Sequence, residues 1–218
     1  MEQIFLVLFW ALSCPSVQIE AQLNVGFYRE SCPLAEQIVK EEVMNRFMSN
    51  NCIAPGLVRM HFHDCFVGGC DGSVVIDSTS SNTAKKDSVV NNPSLRGFNV
   101  IDNAKTRLES QCAGVISCAD ILAFAARDNI EITRRLAYDA PTRRRDGRIS
   151  LASKALQNIP TPTLNNFNRI NGPDPTLNPT YAAQLQQQCP EGSTYASLVV
   201  PMDPCTPFVT DVNYYRTS

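Results

Sequence analysis

The chain has 218 residues, a net charge of −2 and a sequence pI near 5.7. That length is enough for one domain with a real core, burying roughly 70% of the surface exposed by the unfolded chain. The near-neutral charge excludes the global basic footprint of a nucleic-acid binder.

At the N-terminus, residues 4–12 (IFLVLFWAL) form an apolar run of nine. The run is far too short to span a bilayer and reads as the hydrophobic stretch of a signal peptide. The residues before it lack a basic side chain. We expect cleavage after Ala21, although Ile19 is a poor fit to that site, and this leaves Gln22 first. The expected organisation is a signal peptide over 1–21 and a single domain over 22–218, with no membrane span. Nine cysteines in a secreted chain imply disulfides. Cys14 would leave with the leader, so eight remain, at positions 32, 52, 65, 70, 112, 118, 189 and 205. No C-x₂-C pair exists, which argues against a zinc module. Asn92-Pro-Ser and Asn178-Pro-Thr carry the proline that forbids N-glycosylation.

Pro33 can open a helix, and Ala35, Val39, Val43 and Phe47 follow at i, i+4 spacing, the stripe of a core-facing helix. Asn50, Asn51 and Pro55 are expected to break it. The next stretch, residues 59–73 (RMHFHDCFVGGCDGS), holds both histidines of the chain. Arg59 and His63 are four apart and share a helix face, whereas His61 and His63 diverge, so a shared metal there requires an extended segment. Gly68 and Gly69 end the helix. Asp64 lies before that turn and Asp71 and Ser73 after it, oxygen ligands that suit a hard cation such as Ca²⁺. The stretch is thus a candidate catalytic helix, although a lone helical histidine is more often packed or solvated.

Residues 77–92 are rich in Ser, Thr, Asn and Lys and read as a loop. Ile101, Ala104 and Leu108 predict a helix ending near Cys112. Residues 115–126 (VISCADILAFAA) are apolar almost all round and predict a buried helix. Its alanines would admit a flat group, but by composition close helix packing is the better reading. Asp120, if buried there, needs a partner. Short helices are expected over 151–158, stopping at Pro160, and from Pro179 to Pro190, with Tyr181 and Leu185 on one face. No strand alternation stands out, so the fold class is all-α.

Residues 59–73 resemble the distal helix of the secreted plant haem peroxidases (class III peroxidases), whose pattern is close to R-L-H-F-H-D-C-F-V-x-G-C-D-A-S. SLRGFNVID, GVISCADILAFAARD, RRDGR, NIPTPT, PDPTLNPTY and DPCTP match in order, covering most of the chain after residue 21. The resemblance implies a haem-peroxidase helical fold that reduces hydrogen peroxide to water and oxidises small phenolic donors. The cofactors implied are haem b and Ca²⁺. By this resemblance His63 is the distal base, Arg59 stabilises charge on the separating oxygens and Asn91 orients His63. Phe62 walls the pocket, Ser94 holds a haem propionate and the Pro160 carbonyl accepts a hydrogen bond from the donor. Asp120 pairs with Arg144. A distal calcium site would use Asp64, Ser73, Asp71 and the carbonyls of Val67 and Gly69. A proximal site would draw on Asp203, Thr206, the Val209 carbonyl and Asp211 and is incomplete, because a further family ligand lies in the segment that this chain lacks. The surviving disulfide pairs are Cys32–Cys112 and Cys65–Cys70, while Cys52, Cys118, Cys189 and Cys205 have no partner. The implied protein is a monomer of the apoplast, the cell wall or the vacuole.

The chain departs from the family on the proximal side. Between NIPTPT and PDPTLNPTY the family carries a long segment with a G-A-H-T-I-G motif whose histidine binds the haem iron. Here Asn166 and Phe167 run almost directly into Asn168, Arg169 and Ile170, and no histidine follows His63. The chain also stops at Ser218, before the family's partner of Cys118. Lys85 replaces an acid that supports the distal calcium, and Arg134, Arg135 and Arg143 stand where the family usually has glycine. Two readings follow. One is an active haem peroxidase. The other is a catalytically inactive remnant, lacking the proximal haem ligand and at most binding calcium.

Overall fold

The computed structural model describes residues 22–134, 137–159 and 178–188. The expected leader, Pro160, the junction at 166–170, the proximal calcium set Asp203, Thr206, Val209 and Asp211, and Cys189 and Cys205 lie outside those residues.

The first helix, α1 (Ala35–Ser49), buries Ala35, Ile38, Val39 and Val43, with Phe47 partly buried beside them. Its end is set by Asn50, whose side-chain oxygen accepts the Cys52 N–H at 3.0 Å and offers the backbone a turn in place of another helical one. Helix α2 (Ile53–Gly68) starts directly afterwards. Pro55 does not contribute to the break as expected. It is the third residue of α2, where its missing N–H has no intrahelical partner to lose. At the other end the Gly69 N–H reaches the Cys65 carbonyl at 3.0 Å and Gly69 has φ +92°, which favours glycine.

Helix α3 (Phe98–Gln111) buries Val100, Ile101, Ala104 and Leu108. Helix α4 (Cys118–Arg134) is the central element, packing on α1, α2 and α3. Ile121, Leu122, Phe124 and Ala125 of α4 meet Leu57 and Met60 of α2 and the buried faces of α1 and α3 in one continuous core. Each fully buried aliphatic side chain there contributes about 1.5–3 kcal/mol relative to exposure. The alanines of α4 at 119, 123, 125 and 126 are all buried, so close helix packing accounts for them within the described fold.

The α4 N-terminus is capped twice. Ser117 Oγ accepts the Asp120 N–H at 3.2 Å, and the Asp146 carboxylate accepts the N–H groups of Cys118 and Ala119 at 3.0 and 2.9 Å. Asp120 is fully buried, and its carboxylate accepts the Tyr28 hydroxyl at 2.6 Å, the backbone N–H groups of Arg143 and Arg144, and the Arg144 guanidinium at 3.0 Å. Arg143 reaches Asp120 with φ +103°, a left-handed conformation that costs a side-chain-bearing residue about 1–2 kcal/mol.

Helix α5 (Ala152–Asn158) closes a second small core of Val67, Val90, Ala155 and Ile159, and α6 (Pro179–Gln188) follows. The segment 77–92 is irregular apart from the 3₁₀ turn Lys85–Asp87. Cys32 is bridged to Cys112, joining the segment before α1 to the end of α3. Closing a loop of that length restricts the unfolded chain by on the order of 4 kcal/mol. Among the described residues only isolated β-bridges occur, Asn24 with Thr142 and Thr79 with Asn82, and the architecture is all-α.

Candidate active site

Helix α2 places Arg59 and His63 one turn apart, with Arg59 Nε 3.2 Å from His63 Nε2. His63 is 4% exposed. Its Nδ1 lies 2.6 Å from Asn91 Oδ1. The orientation of the Asn91 amide is settled by its other end, because Nδ2 donates to the Lys85 carbonyl at 2.6 Å. Oδ1 therefore faces the imidazole and Nδ1 must carry the proton. The Arg59 Nε–H then meets an unprotonated Nε2. Two independent hydrogen bonds thus specify one tautomer, a neutral ring with its free lone pair toward Arg59.

Electrostatics point the same way. Burial pushes the His63 imidazole down to about 4; the Arg59 charge adds to this and the Asn91 hydrogen bond opposes it. His61, two residues away, turns to the other side and lies 3.7 Å from the Cys65 sulfur. His61, Cys65 and Cys70 offer ligand atoms within 4.8 Å of one another, but Cys65 and Cys70 are joined in a disulfide and are not thiolates.

Arg59 is held on its far side by the loop after residue 88. Nη2 donates to Ser94 Oγ at 3.0 Å and to the Val90 carbonyl at 3.4 Å, and Nη1 donates to the Ser94 carbonyl at 3.2 Å. The Ser94 hydroxyl, read from the resemblance as a propionate partner, is here engaged with Arg59. Phe62 is 44% exposed, edge-on to the His63 ring at 5.7 Å and tilted against Phe66 at 4.9 Å, an apolar wall beside the base.

The turn after α2 gathers Asp64, Val67, Gly69, Asp71 and Ser73. The buried Asp64 carboxylate accepts the Gly72 N–H at 2.8 Å and the Val74 N–H at 3.2 Å. Burial, with Asp71 adding to it, pushes Asp64 up to about 6, while those two N–H bonds and Lys85 pull the other way. Asp71 accepts the Ser73 hydroxyl and the Ser73 N–H, and its own carbonyl accepts the Gly147 N–H at 2.7 Å. Gly72 has φ +69°, and a Cβ there would come within 2.8 Å of the Ala119 backbone nitrogen, so this turn seats against the N-terminus of α4.

The chain matches the peroxidase family model over residues 39–172. It is 56% identical to Peroxidase 5 of Vitis vinifera over 97% of this chain and 77% of that protein. The chain belongs to the peroxidase family. Peroxidase 3 of Arabidopsis thaliana is 41% identical over 91% of this chain and 72% of its own length, and Peroxidase 1 of Zea mays 40% over 90% and 65%. These are plant class III peroxidases, and the all-α architecture is that of the haem-peroxidase fold. Membership implies haem and calcium as cofactors and hydrogen peroxide and an oxidisable donor as substrates. Among the described residues no helix is long and apolar enough to cross a membrane.

The described residues fit the distal face of a peroxidase haem. Arg59, His63 and Phe62 form a distal face with a fixed base and a fixed cation. The chain's two histidines are both on α2, and both are already engaged there. His63 is held by Asn91 and Arg59, and His61 turns away beside the disulfide.

Two contacts of the site have no signal in the sequence. Lys85, which replaces the acid expected to support the distal calcium, has its side chain 3% exposed and inserted into the turn. Ser94 holds Arg59 rather than standing free. A lysine between an alanine and another lysine has no local signature of burial, and a contact 35 residues away has none either.

Proposed function

We propose that this chain carries the distal acid–base machinery of a haem peroxidase, with His63 the base, Arg59 the charge stabiliser and Asn91 the positioning residue. The observation that carries the reading is the Asn91–His63–Arg59 relay, whose hydrogen bonds leave Nε2 unprotonated and aimed at a guanidinium. A hydrogen peroxide molecule placed between Arg59 and His63 would donate an O–H to Nε2 and accept from Nε–H, replacing one hydrogen bond by two. The imidazole would then hold that proton and return it to the departing oxygen. One group acts as base and then as acid, a step worth about 10²–10⁴-fold. A fixed guanidinium opposite developing negative charge adds about 10²–10³-fold. Phenolic donors supply the electrons that balance peroxide reduction to water. The reading includes removal of residues 1–21 as a leader, a single domain over 22–218, and a secreted monomer of the apoplast or vacuole.

The histidine count favours a second reading for the chain acting alone. On this reading the distal residues would have no imidazole-anchored iron to act beside, because both histidines lie on α2. The test is guaiacol oxidation by the full chain with added haem and hydrogen peroxide, read with the Soret spectrum and haem stoichiometry. Little turnover and substoichiometric haem are expected. Turnover equal to that of a full-length relative, abolished by His63→Ala, would show that another side chain ligates the iron.

A further inference from the structure

We propose that the Lys85 ammonium is the resident cation of the turn after α2, so that this peroxidase holds its distal loop without Ca²⁺. Family membership implies a calcium ion among Asp64, Val67, Gly69, Asp71 and Ser73, but the side chains of Asp64, Asp71 and Ser73 are already engaged. Lys85 enters from the 3₁₀ turn Lys85–Asp87 with its side chain 3% exposed. Its Nζ donates to Ser73 Oγ at 2.5 Å and lies 3.9 Å from Asp71 Oδ1. The Ser73 hydroxyl donates its hydrogen bond to the same Asp71 oxygen, so ammonium, hydroxyl and carboxylate form one chain. Asp64, on the other side of the turn, has both oxygens on backbone N–H groups. A Ca²⁺ ion would need those oxygens turned to it and would sit against a buried positive charge, which the loop cannot move to solvent without unmaking the turn. A buried lysine is stable only when paired, and here the pair is with the oxygens calcium would use.

The same residue reaches the candidate active site through its backbone. The Lys85 N–H donates to Ser150 Oγ at 2.9 Å, and the Lys85 carbonyl accepts the Asn91 amide that orients His63. The tethered cation therefore fixes the loop at one end and the His63 ring at the other, and the ring orientation follows the lysine rather than a dissociable ion.

The experiment is calorimetric titration of the full chain with calcium chloride, alongside thermal melting in EDTA and in excess calcium and the imidazole NMR signal of His63. For the wild type we expect no binding heat, one melting temperature in both buffers and an unmoved His63 signal. Lys85→Glu exchanges a positive for a negative charge within contact distance of the ion, and should raise calcium affinity by more than about a hundredfold. It should also make both melting temperature and His63 signal calcium-dependent. Lys85→Gln, uncharged and near in length, should bind with intermediate affinity and decides the matter if the glutamate variant does not fold. Calcium uptake by the wild type, with a rise in melting temperature, would overturn the proposal. A folded Lys85→Glu chain indifferent to calcium would overturn it too, since the obstacle would then lie elsewhere in the loop.

Discussion

The catalytic face of α2 and the turn that follows it differ in how they deal with buried charge. On the face, Arg59 and His63 are held through neutral partners, with Asn91 and the carbonyls of Val90 and Ser94 fixing geometry without adding charge. In the turn, Asp64, Asp71 and Lys85 are brought together with their charges opposed. The first arrangement keeps an imidazole lone pair available. The second engages both Asp64 oxygens with backbone N–H groups and Asp71 Oδ1 with Ser73. The two are joined at Lys85, whose side chain belongs to the turn and whose carbonyl belongs to the face.

Removing the anchor of the turn should have the largest effect. Asp64→Ala leaves the Gly72 and Val74 N–H groups buried without acceptors, and each orphan costs about 1–3 kcal/mol. We therefore expect a loss of about 2–5 kcal/mol in urea unfolding. Asp64→Asn, which retains an acceptor oxygen, should lose clearly less. Equal losses would mean that the carboxylate charge, rather than its hydrogen bonds, holds the turn.

Acid should act on the face with a defined sign. The unfolded imidazole protonates near pH 6.5 and folded His63 at about 4. Between those values the unfolded chain binds the extra proton, so the contribution of His63 is fully present above pH 6.5 and is lost as pH falls toward 4. The span corresponds to roughly 3 kcal/mol. Asp64 works against it, since its folded value of about 6 lies above the unfolded one and it favours folding as pH falls through 6. The difference in stability between wild type and His63→Gln isolates the imidazole, and it should shrink from pH 7 to pH 4. A constant difference would place the proton elsewhere.

Asn91→Ala should cost about 1–3 kcal/mol by orphaning the His63 Nδ1–H, and should free the ring to change tautomer. Asn91→Asp, with the fold kept, should raise the His63 midpoint, because a carboxylate favours the imidazolium. Arg143→Gly should have the smallest effect, a gain of about 1 kcal/mol or less, because it relieves the left-handed backbone at φ +103° while returning some unfolded-state entropy.

Much of this was legible because it is local. The Arg59–His63 spacing follows from helix geometry, the α1 stripe from its period, and the α2 terminus from Gly68 and Gly69. Asn91 was legible only through resemblance, since 28 residues separate it from His63. Tyr28 at Asp120, Ser94 at Arg59 and Lys85 at Ser73 were not legible. Each joins residues from different elements, and a buried polar residue shows no partner until the chain is folded. Pro55 shows the opposite limit: proline reads as a breaker, but in the first turn of a helix it breaks nothing.

The proposed acid–base chemistry requires one state of one ring, His63 neutral with its proton on Nδ1. Nitrogen-15 NMR of the full chain reads it directly, because only two imidazoles contribute and His61→Gln assigns them. We predict a protonated Nδ1 and an unprotonated Nε2 at neutral pH, with a titration midpoint of about 4. A midpoint near 6.5, or the opposite tautomer, would contradict the relay and the role given to His63.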